Sequence, residues 1–101
     1  MAMQYLVILK LKGDATKEKL GPLMKPETAK AWEMLAAGVL RSIYFIKGPV
    51  GAVLMIEAGD DKEAQFQVSQ LPLVEAGMVG VEILPLTPFT GFAARFATSG
   101  A

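Results

Sequence analysis

The sequence predicts an α+β domain of the ferredoxin-like type, with the element order βαββαβ, a four-stranded antiparallel sheet and two helices on one face. Three observations predict this fold. Strand-like and helical segments alternate in that order, a tight connection over residues 47–51 joins the second and third strands, and 101 residues are the length of one domain. We therefore expect one domain over residues 1–88 and a C-terminal tail over residues 89–101 that packs on the domain or on a partner subunit.

The first strand is expected from Met3 to Lys12, because both of its faces are apolar until the last residues. A strand with two apolar faces should be covered on both sides. After it, Pro22 and Pro26 predict a break, since a proline inside a helix removes a backbone hydrogen bond and clashes with the preceding turn. We therefore predict that no single helix runs from Ala15 to Ala37.

The first helix is instead expected from Pro26 to Ala37, with the proline in its first turn and Gly38 capping its C-terminus. Its apolar face should consist of the residues that recur at helical spacing, which are Ala29, Trp32 and Ala36, with Leu35 beside them. The second and third strands, Val39 to Lys47 and Ala52 to Ala58, are rich in β-branched and aromatic residues and should form an antiparallel hairpin.

The second helix should begin after Asp60, because Asp60 and Glu63 have the spacing of a capping box, and it should end at Pro72. Its apolar face is predicted to contain Ala64, Val68 and Leu71. Phe66 falls off that face, so it either packs against a neighbouring element or is exposed for a partner. The fourth strand is expected from Val81 to Leu86.

An antiparallel sheet with both helices on one face leaves its other face without cover. The side chains expected there are apolar, and a patch of this size is rare on a monomer; they are Leu6, Ile8, Val53, Met55 and Leu84. We therefore expect a homodimer, or a higher homo-oligomer, in which two sheets pack face to face.

The composition excludes several classes of function. The chain has no His and no Cys, which excludes His-dependent triads, thiolate nucleophiles, the usual zinc sites and disulfides. Ten basic and ten acidic residues give a formal net charge of zero, so no basic surface for nucleic acid is expected. The first residues form neither a signal peptide nor a membrane span, and we expect a cytoplasmic protein with no membrane partner.

Three short motifs carry a resemblance to a known family: Gly38 to Arg41, Leu71 to Leu73, and Val81 to Ile83. Over Tyr5 to Pro88 the chain resembles the muconolactone isomerase-like members of the dimeric α/β-barrel superfamily. The resemblance implies a barrel made of the sheets of two subunits, with a small-molecule pocket between sheet and helix or inside the barrel.

Members of that superfamily include isomerases, monooxygenases and haem-handling proteins. The absence of histidine argues against haem handling and against His-based proton transfer. Muconolactone isomerases carry aromatic and basic residues along the second strand, where this chain has residues 42–45, and only Arg41 there and Glu82 in the fourth strand match their pattern.

Five residues are candidates for a site. Arg41 could bind a substrate carboxylate, although a structural ion pair with Glu57 is the more common outcome for such an arginine. Burial could raise the pKa of Glu57 or Glu82 and make either a general base; the alternatives are an exposed strand end and a salt bridge. Trp32 could line a pocket and Tyr44 could donate a hydrogen bond, or both could serve packing alone.

Two functions follow from these observations. The first is a cofactor-independent enzyme or binder, isomerase-like if an enzyme, that takes a small carboxylated or lactone compound; no metal or cofactor site is expected. The second is a homo-oligomeric scaffold or subunit without chemistry, favoured by the bare sheet face and by a tail that contains Phe89, Phe92 and Phe96. A polar pocket with Arg41, Tyr44 or a carboxylate would favour the enzyme or binder. A barrel interior filled by apolar side chains would favour the scaffold; these side chains are Ile8, Ile43, Met55 and Leu84.

Overall fold

The computed structural model describes residues 2–48 and 50–96. Pro49, within the predicted hairpin connection, and residues 97–101 of the predicted tail lie outside the described residues. The elements are β1 (Met3–Leu11), α1 (Lys17–Ala36), β2 (Leu40–Ile46), β3 (Gly51–Ala58), α2 (Asp61–Ser69), α3 (Pro72–Glu75), β4 (Val79–Leu86) and α4 (Gly91–Phe96). None of the helices within the described ranges is both long enough and apolar enough to cross a membrane.

The four strands form one antiparallel sheet in the order β2-β3-β1-β4. This order places β1 and β3 at the centre, as the ferredoxin-like arrangement requires, and confirms the predicted fold class. One face of the sheet packs against α1, α2 and α3 and forms the core, whose fully buried members include Tyr5, Val7, Leu54, Ile56 and Val68.

The first helix differs from its prediction, because α1 is continuous through both prolines. Pro22 and Pro26 are four residues apart and therefore lie on the same side of the helix, and both are exposed. Each proline leaves one upstream carbonyl, that of Glu18 or of Pro22, without its helical N–H partner. Because that side of the helix faces solvent, water can hydrate these carbonyls, and the prediction of a break was wrong.

Continuity of α1 also changes which face is buried. The predicted stripe is exposed: Trp32 retains 67% of its accessible surface and Leu35 is also exposed. The face that packs toward the sheet instead carries residues spaced by three and four, which are Leu20, Leu23, Glu27, Ala31 and Met34. Gly38 follows the helix with φ +79°, a conformation that suits glycine, so the predicted cap is confirmed.

The second helix is confirmed. Asp60 Oδ1 accepts a hydrogen bond from the Glu63 N–H at 2.8 Å, and Glu63 Oε2 accepts one from the Gly59 N–H at 2.8 Å. The predicted apolar face of α2 is buried, while Phe66 is exposed, which is the second of its two predicted environments. Pro72 ends this segment and opens α3, a short helix within the connection to β4.

A partly buried hydrogen bond joins α2 to the sheet. Tyr5, which has no exposed surface, donates its hydroxyl proton to Asp61 Oδ1 at 2.9 Å. Burial and the neighbouring Asp61 carboxylate raise the pKa of Tyr5 to about 12. The hydroxyl therefore remains a donor through the physiological pH range.

The opposite face of the sheet has no helix on it. In the register, Leu6 lies opposite Met55 on one side and Leu84 on the other, and Ile8 lies opposite Val53. These are the five residues predicted for the bare face, and the pairing confirms that they share one face. Ile43 is different: it pairs with Leu54 and faces the helices, so it does not belong with Ile8, Met55 and Leu84 in the set that would fill a barrel interior.

The tail leaves the sheet at the end of the edge strand β4. Within it Phe89 and Phe92 meet edge to face, with ring centroids 4.9 Å apart, and the Arg95 guanidinium lies 5.5 Å from the centre of the Phe96 ring. All three phenylalanines are exposed. The longest dimension of the structure is 64 Å, against 28 and 20 Å across, and the radius of gyration of 16.8 Å exceeds the roughly 13 Å of a compact domain this long.

Candidate functional site

A cavity of about 500 Å³ lies between α1 and the helix-covered face of the sheet. Its volume is within the range of small-molecule sites, roughly 300–1,000 Å³. The walls come from all four strands, from α1 and from α3, and their apolar members include Leu9, Leu20, Met24, Ile43, Leu54, Leu73 and Val79. The cavity therefore offers a small organic molecule a mostly apolar surface to bind.

Its mouth lies beside the edge strand β2. Ile43 and Phe45 line it, and Phe45 keeps 81% of its surface exposed. On the opposite side Ala31 of α1 contributes only a methyl group, which leaves room for a ring between helix and sheet. An aromatic ring at the entrance offers a ligand a face to stack on.

Glu27 is the only charged side chain among the described residues that line the cavity. It is half-buried, and its Oε1 accepts a hydrogen bond from the Leu73 N–H at 2.9 Å. Leu73 lies in the first turn of α3, whose N-cap residue, Leu71, has no hydrogen-bonding side chain. Glu27 therefore caps this helix from another element.

The same surroundings perturb the acidity of this carboxyl group. Burial raises the pKa of Glu27 above its ordinary value of 4.5, and the hydrogen bond from Leu73, which favours the carboxylate, offsets part of that rise. A carboxyl group whose pKa is moved toward neutrality is better suited to take up and return protons near pH 7.

Thr28 is the neighbouring polar group. Its hydroxyl donates a proton to the Met24 carbonyl at 3.0 Å, which fixes the side chain along α1. The oxygen keeps lone pairs that can accept a hydrogen bond from a ligand. The polar side chains of Glu27 and Thr28 are thus placed side by side on an otherwise apolar wall.

Arg41 and Glu57 meet on the other face of the sheet. The Nε of Arg41 lies 3.8 Å from Oε1 of Glu57, with the side chains 54% and 32% exposed. Glu57 pairs with Gln4 and so shares the bare face of the sheet. At this exposure and distance the ion pair contributes at most about 1 kcal/mol.

The other predicted site residues do not converge on the cavity. Glu82 pairs with Ile8 on the bare sheet face and is exposed. Tyr44 adjoins the cavity through its place between Ile43 and Phe45, but its pairing with Val53 puts its side chain on the bare face. Trp32 lies on the outer side of α1. Arg41 and Glu57 are therefore the only two of the five that the structure brings into contact within the described residues.

Sequence reasoning missed Glu27, and a signal for it exists. Leu20, Leu23, Ala31 and Met34 form a helical stripe in which Glu27 occupies the central position. An acidic residue inside an apolar stripe is a candidate functional group. The signal was lost because the predicted break at Pro26 divided the stripe.

The raised pKa of Glu27 has a consequence for stability. Because the folded state binds this proton more tightly than the unfolded state, the stabilisation is complete below pH 4.5 and is lost as pH rises through the folded-state pKa. Glu27→Gln keeps an oxygen for the Leu73 N–H but does not titrate. We expect the melting temperature of the variant, relative to the native chain, to rise between pH 4 and pH 7. A pH-independent difference would contradict this assignment.

Comparisons with solved structures identify the fold. The 5-chloro-2-hydroxyhydroquinone dehydrochlorinase of Burkholderia phenoliruptrix AC1100, solved in complex with 2,5-dihydroxybenzoquinone, matches with a TM-score of 0.74 at 15% identity, over 88% of this chain and 98% of that chain. Muconolactone isomerase matches with a TM-score of 0.72 at 21% identity, over 86% and 91%. No protein-family model and no curated protein matches the sequence. The chain thus has the fold of muconolactone isomerase, as its sequence resemblance predicted.

Proposed function

We propose that this chain binds small organic ring compounds, of the carboxylated or lactone class, in the cavity between α1 and the sheet, and that it isomerises them by proton transfer. The observation that carries the proposal is the position of Glu27, a half-buried carboxyl group in a cavity whose other described walls are almost wholly apolar.

The chemistry needs one group that can take and return a proton. The Glu27 carboxylate removes a proton from a carbon that lies between a carbonyl group and a C=C bond, and the electron pair delocalises over both as a dienolate. The resulting carboxylic acid returns the proton to the far carbon of the former C=C bond, so the double bond moves into conjugation with the carbonyl. The proton passes from the substrate to Glu27 and back, so the reaction needs no other reactant. The Thr28 hydroxyl donates its proton to the Met24 carbonyl, so it is placed to accept a hydrogen bond from a substrate hydroxyl group.

The solved structures that share the fold support a role in small-molecule chemistry. One is an isomerase, and the other is a dehydrochlorinase that was solved with a six-membered ring compound bound. The sequence predicts that Arg41 and Tyr44 bind a ligand, that Glu57 or Glu82 transfers a proton and that Trp32 lines a pocket, and these roles stay predictions.

Ligand binding can be tested by a thermal-shift screen of lactones, phenols and aromatic acids. A ligand at ten times its Kd stabilises by about 1.4 kcal/mol, which raises the melting temperature by about 6 °C or more for a domain of this size. Ala31→Phe fills the cavity from α1 and should abolish the shift. Ala29→Phe, on an exposed position of the same helix, is the matched control and should preserve it. A shift that survives in both variants would place the ligand elsewhere.

We also propose that two copies pack through their bare sheet faces. The face carries the half-buried side chains of Leu6, Ile8, Val53 and Met55, together with the exposed Leu84. Apolar surface of this extent on both copies supports a homodimer. The same surface and the exposed phenylalanines of the tail favour the second candidate function, a homo-oligomeric scaffold, if the cavity proves to bind nothing.

A further inference from the structure

The candidate cavity presents one formal charge to a ligand, and that charge is negative. Neither a lysine nor an arginine is found among the described residues that line it. Its polar side chains are the Glu27 carboxyl group and the Thr28 hydroxyl group. The cavity wall therefore offers no cation to a carboxylate.

The arginine that the sequence suggests as a carboxylate anchor is on the other side of the sheet. Arg41 lies against Glu57 on the bare face, whereas Ile43, two residues further along β2, faces the cavity. The backbone of the sheet thus separates the guanidinium from the cavity. The carboxylate of Glu57 already neutralises part of the positive charge of Arg41.

From this distribution of charge we infer that the cavity selects uncharged ring compounds with a hydroxyl or carbonyl oxygen, such as lactones and phenols, and discriminates against carboxylated ones. The inference rests on the proposed function and narrows its substrate class. A carboxylate would lose its hydration between apolar side chains without an opposite charge, and it would also face Glu27. A ligand hydroxyl can instead donate a hydrogen bond to the Glu27 carboxylate or to the Thr28 oxygen, and a lactone carbonyl can accept one from Glu27 in its protonated form.

The preference for uncharged over carboxylated compounds can be measured with two probes that share a naphthalene ring system. 2-Naphthylmethanol is uncharged, and 2-naphthoate is an anion at pH 7. Both would be titrated into the full-length chain and followed by two-dimensional NMR. We expect the alcohol to bind at least tenfold more tightly than the carboxylate.

Three variants test whether the Glu27 charge causes the discrimination. Glu27→Gln removes the charge and keeps an acceptor for the Leu73 N–H, so the affinity ratio should narrow through stronger binding of naphthoate. Glu33→Gln, an equal change at an exposed position of the same helix outside the cavity, should leave the ratio unchanged. Arg41→Ala should also leave it unchanged.

Each contrary outcome has a distinct meaning. Naphthoate binding as tight as that of the alcohol, or naphthoate binding lost in Arg41→Ala, would overturn the inference and leave a ligand-binding function standing. Failure of both probes to bind, or binding that Ala31→Phe does not weaken, would reject the proposed cavity function itself.

Discussion

Gly51→Ala is expected to lower the free energy of unfolding by about 3 kcal/mol or more, since a clash with backbone combines with a strained φ. Gly51 begins β3 with φ +155°, and a Cβ there would collide with the carbonyl oxygen of Leu9 on β1. The obstacle is backbone of a central strand, which no side-chain rotation can move. β1 and β3 would have to separate at the floor of the cavity, which both Leu9 and Gly51 line.

Thermal denaturation of Gly51→Ala and Gly13→Ala measures this effect. Gly13 has open space around its Cα and no positive φ, so its substitution should change stability by about 0.5 kcal/mol or less. We expect the melting temperature of Gly51→Ala to fall by about 12 °C or more relative to this control. Equal melting temperatures would mean that β1 and β3 do not approach as the structure shows.

Met55→Asp is expected to dissociate the proposed dimer. Met55 lies at the centre of the bare face, opposite Leu6 on β1 and Ser42 on β2. In a sheet-to-sheet interface, each new carboxylate would be buried among apolar side chains, and the nearby Arg41 already pairs with Glu57. The cost is about 3 kcal/mol or more. The dissociation constant should therefore rise a hundredfold or more.

Sedimentation velocity over a concentration series would follow this change, with far-UV circular dichroism to confirm that the variant remains folded. Phe66→Asp, on the outer side of α2, is the matched control and should leave the dimer intact. Loss of the dimer in the control alone would move the interface to α2, and a native chain that is monomeric at all concentrations would reject the interface.

The tail supplies an independent probe of assembly. Removal of residues 89–101 takes away three exposed phenylalanines and should lower the oligomeric mass or the solubility seen by light scattering. An unchanged dimer of unchanged stability would show that the tail does not pack across a partner.

Local sequence patterns were sufficient to predict most of the fold. Alternation of apolar residues, the capping box at Asp60 and the glycine at position 38 each act over a few residues, so their physics can be recognised in the chain itself. The pairing of Leu6 with Met55 and Leu84 follows from the same alternation once the strand order is known. The prolines of α1 were misjudged because the penalty of an internal proline depends on whether the freed carbonyl reaches solvent, which is a tertiary property.

The positions of the candidate site residues depended on tertiary structure more than the fold did. A β-bulge in β2 lies between Leu40 and Ser42, opposite consecutive residues of β3. Strict alternation would put Arg41 and Tyr44 on opposite faces, but the extra residue shifts the phase and lets both lie on the bare face. No propensity of a single residue encodes that shift, because it is set by pairing with a distant strand.

The sequence by itself determined the βαββαβ order, the two faces of the sheet and the exclusion of histidine and cysteine chemistry. Only the tertiary structure decided which face of α1 is buried, where the cavity lies and that Glu27, not Arg41, Glu57 or Glu82, lines it. The physical reason is that periodicity acts within one element, whereas a cavity and the pKa of its carboxyl group arise between elements, from the distances and burial that their packing creates.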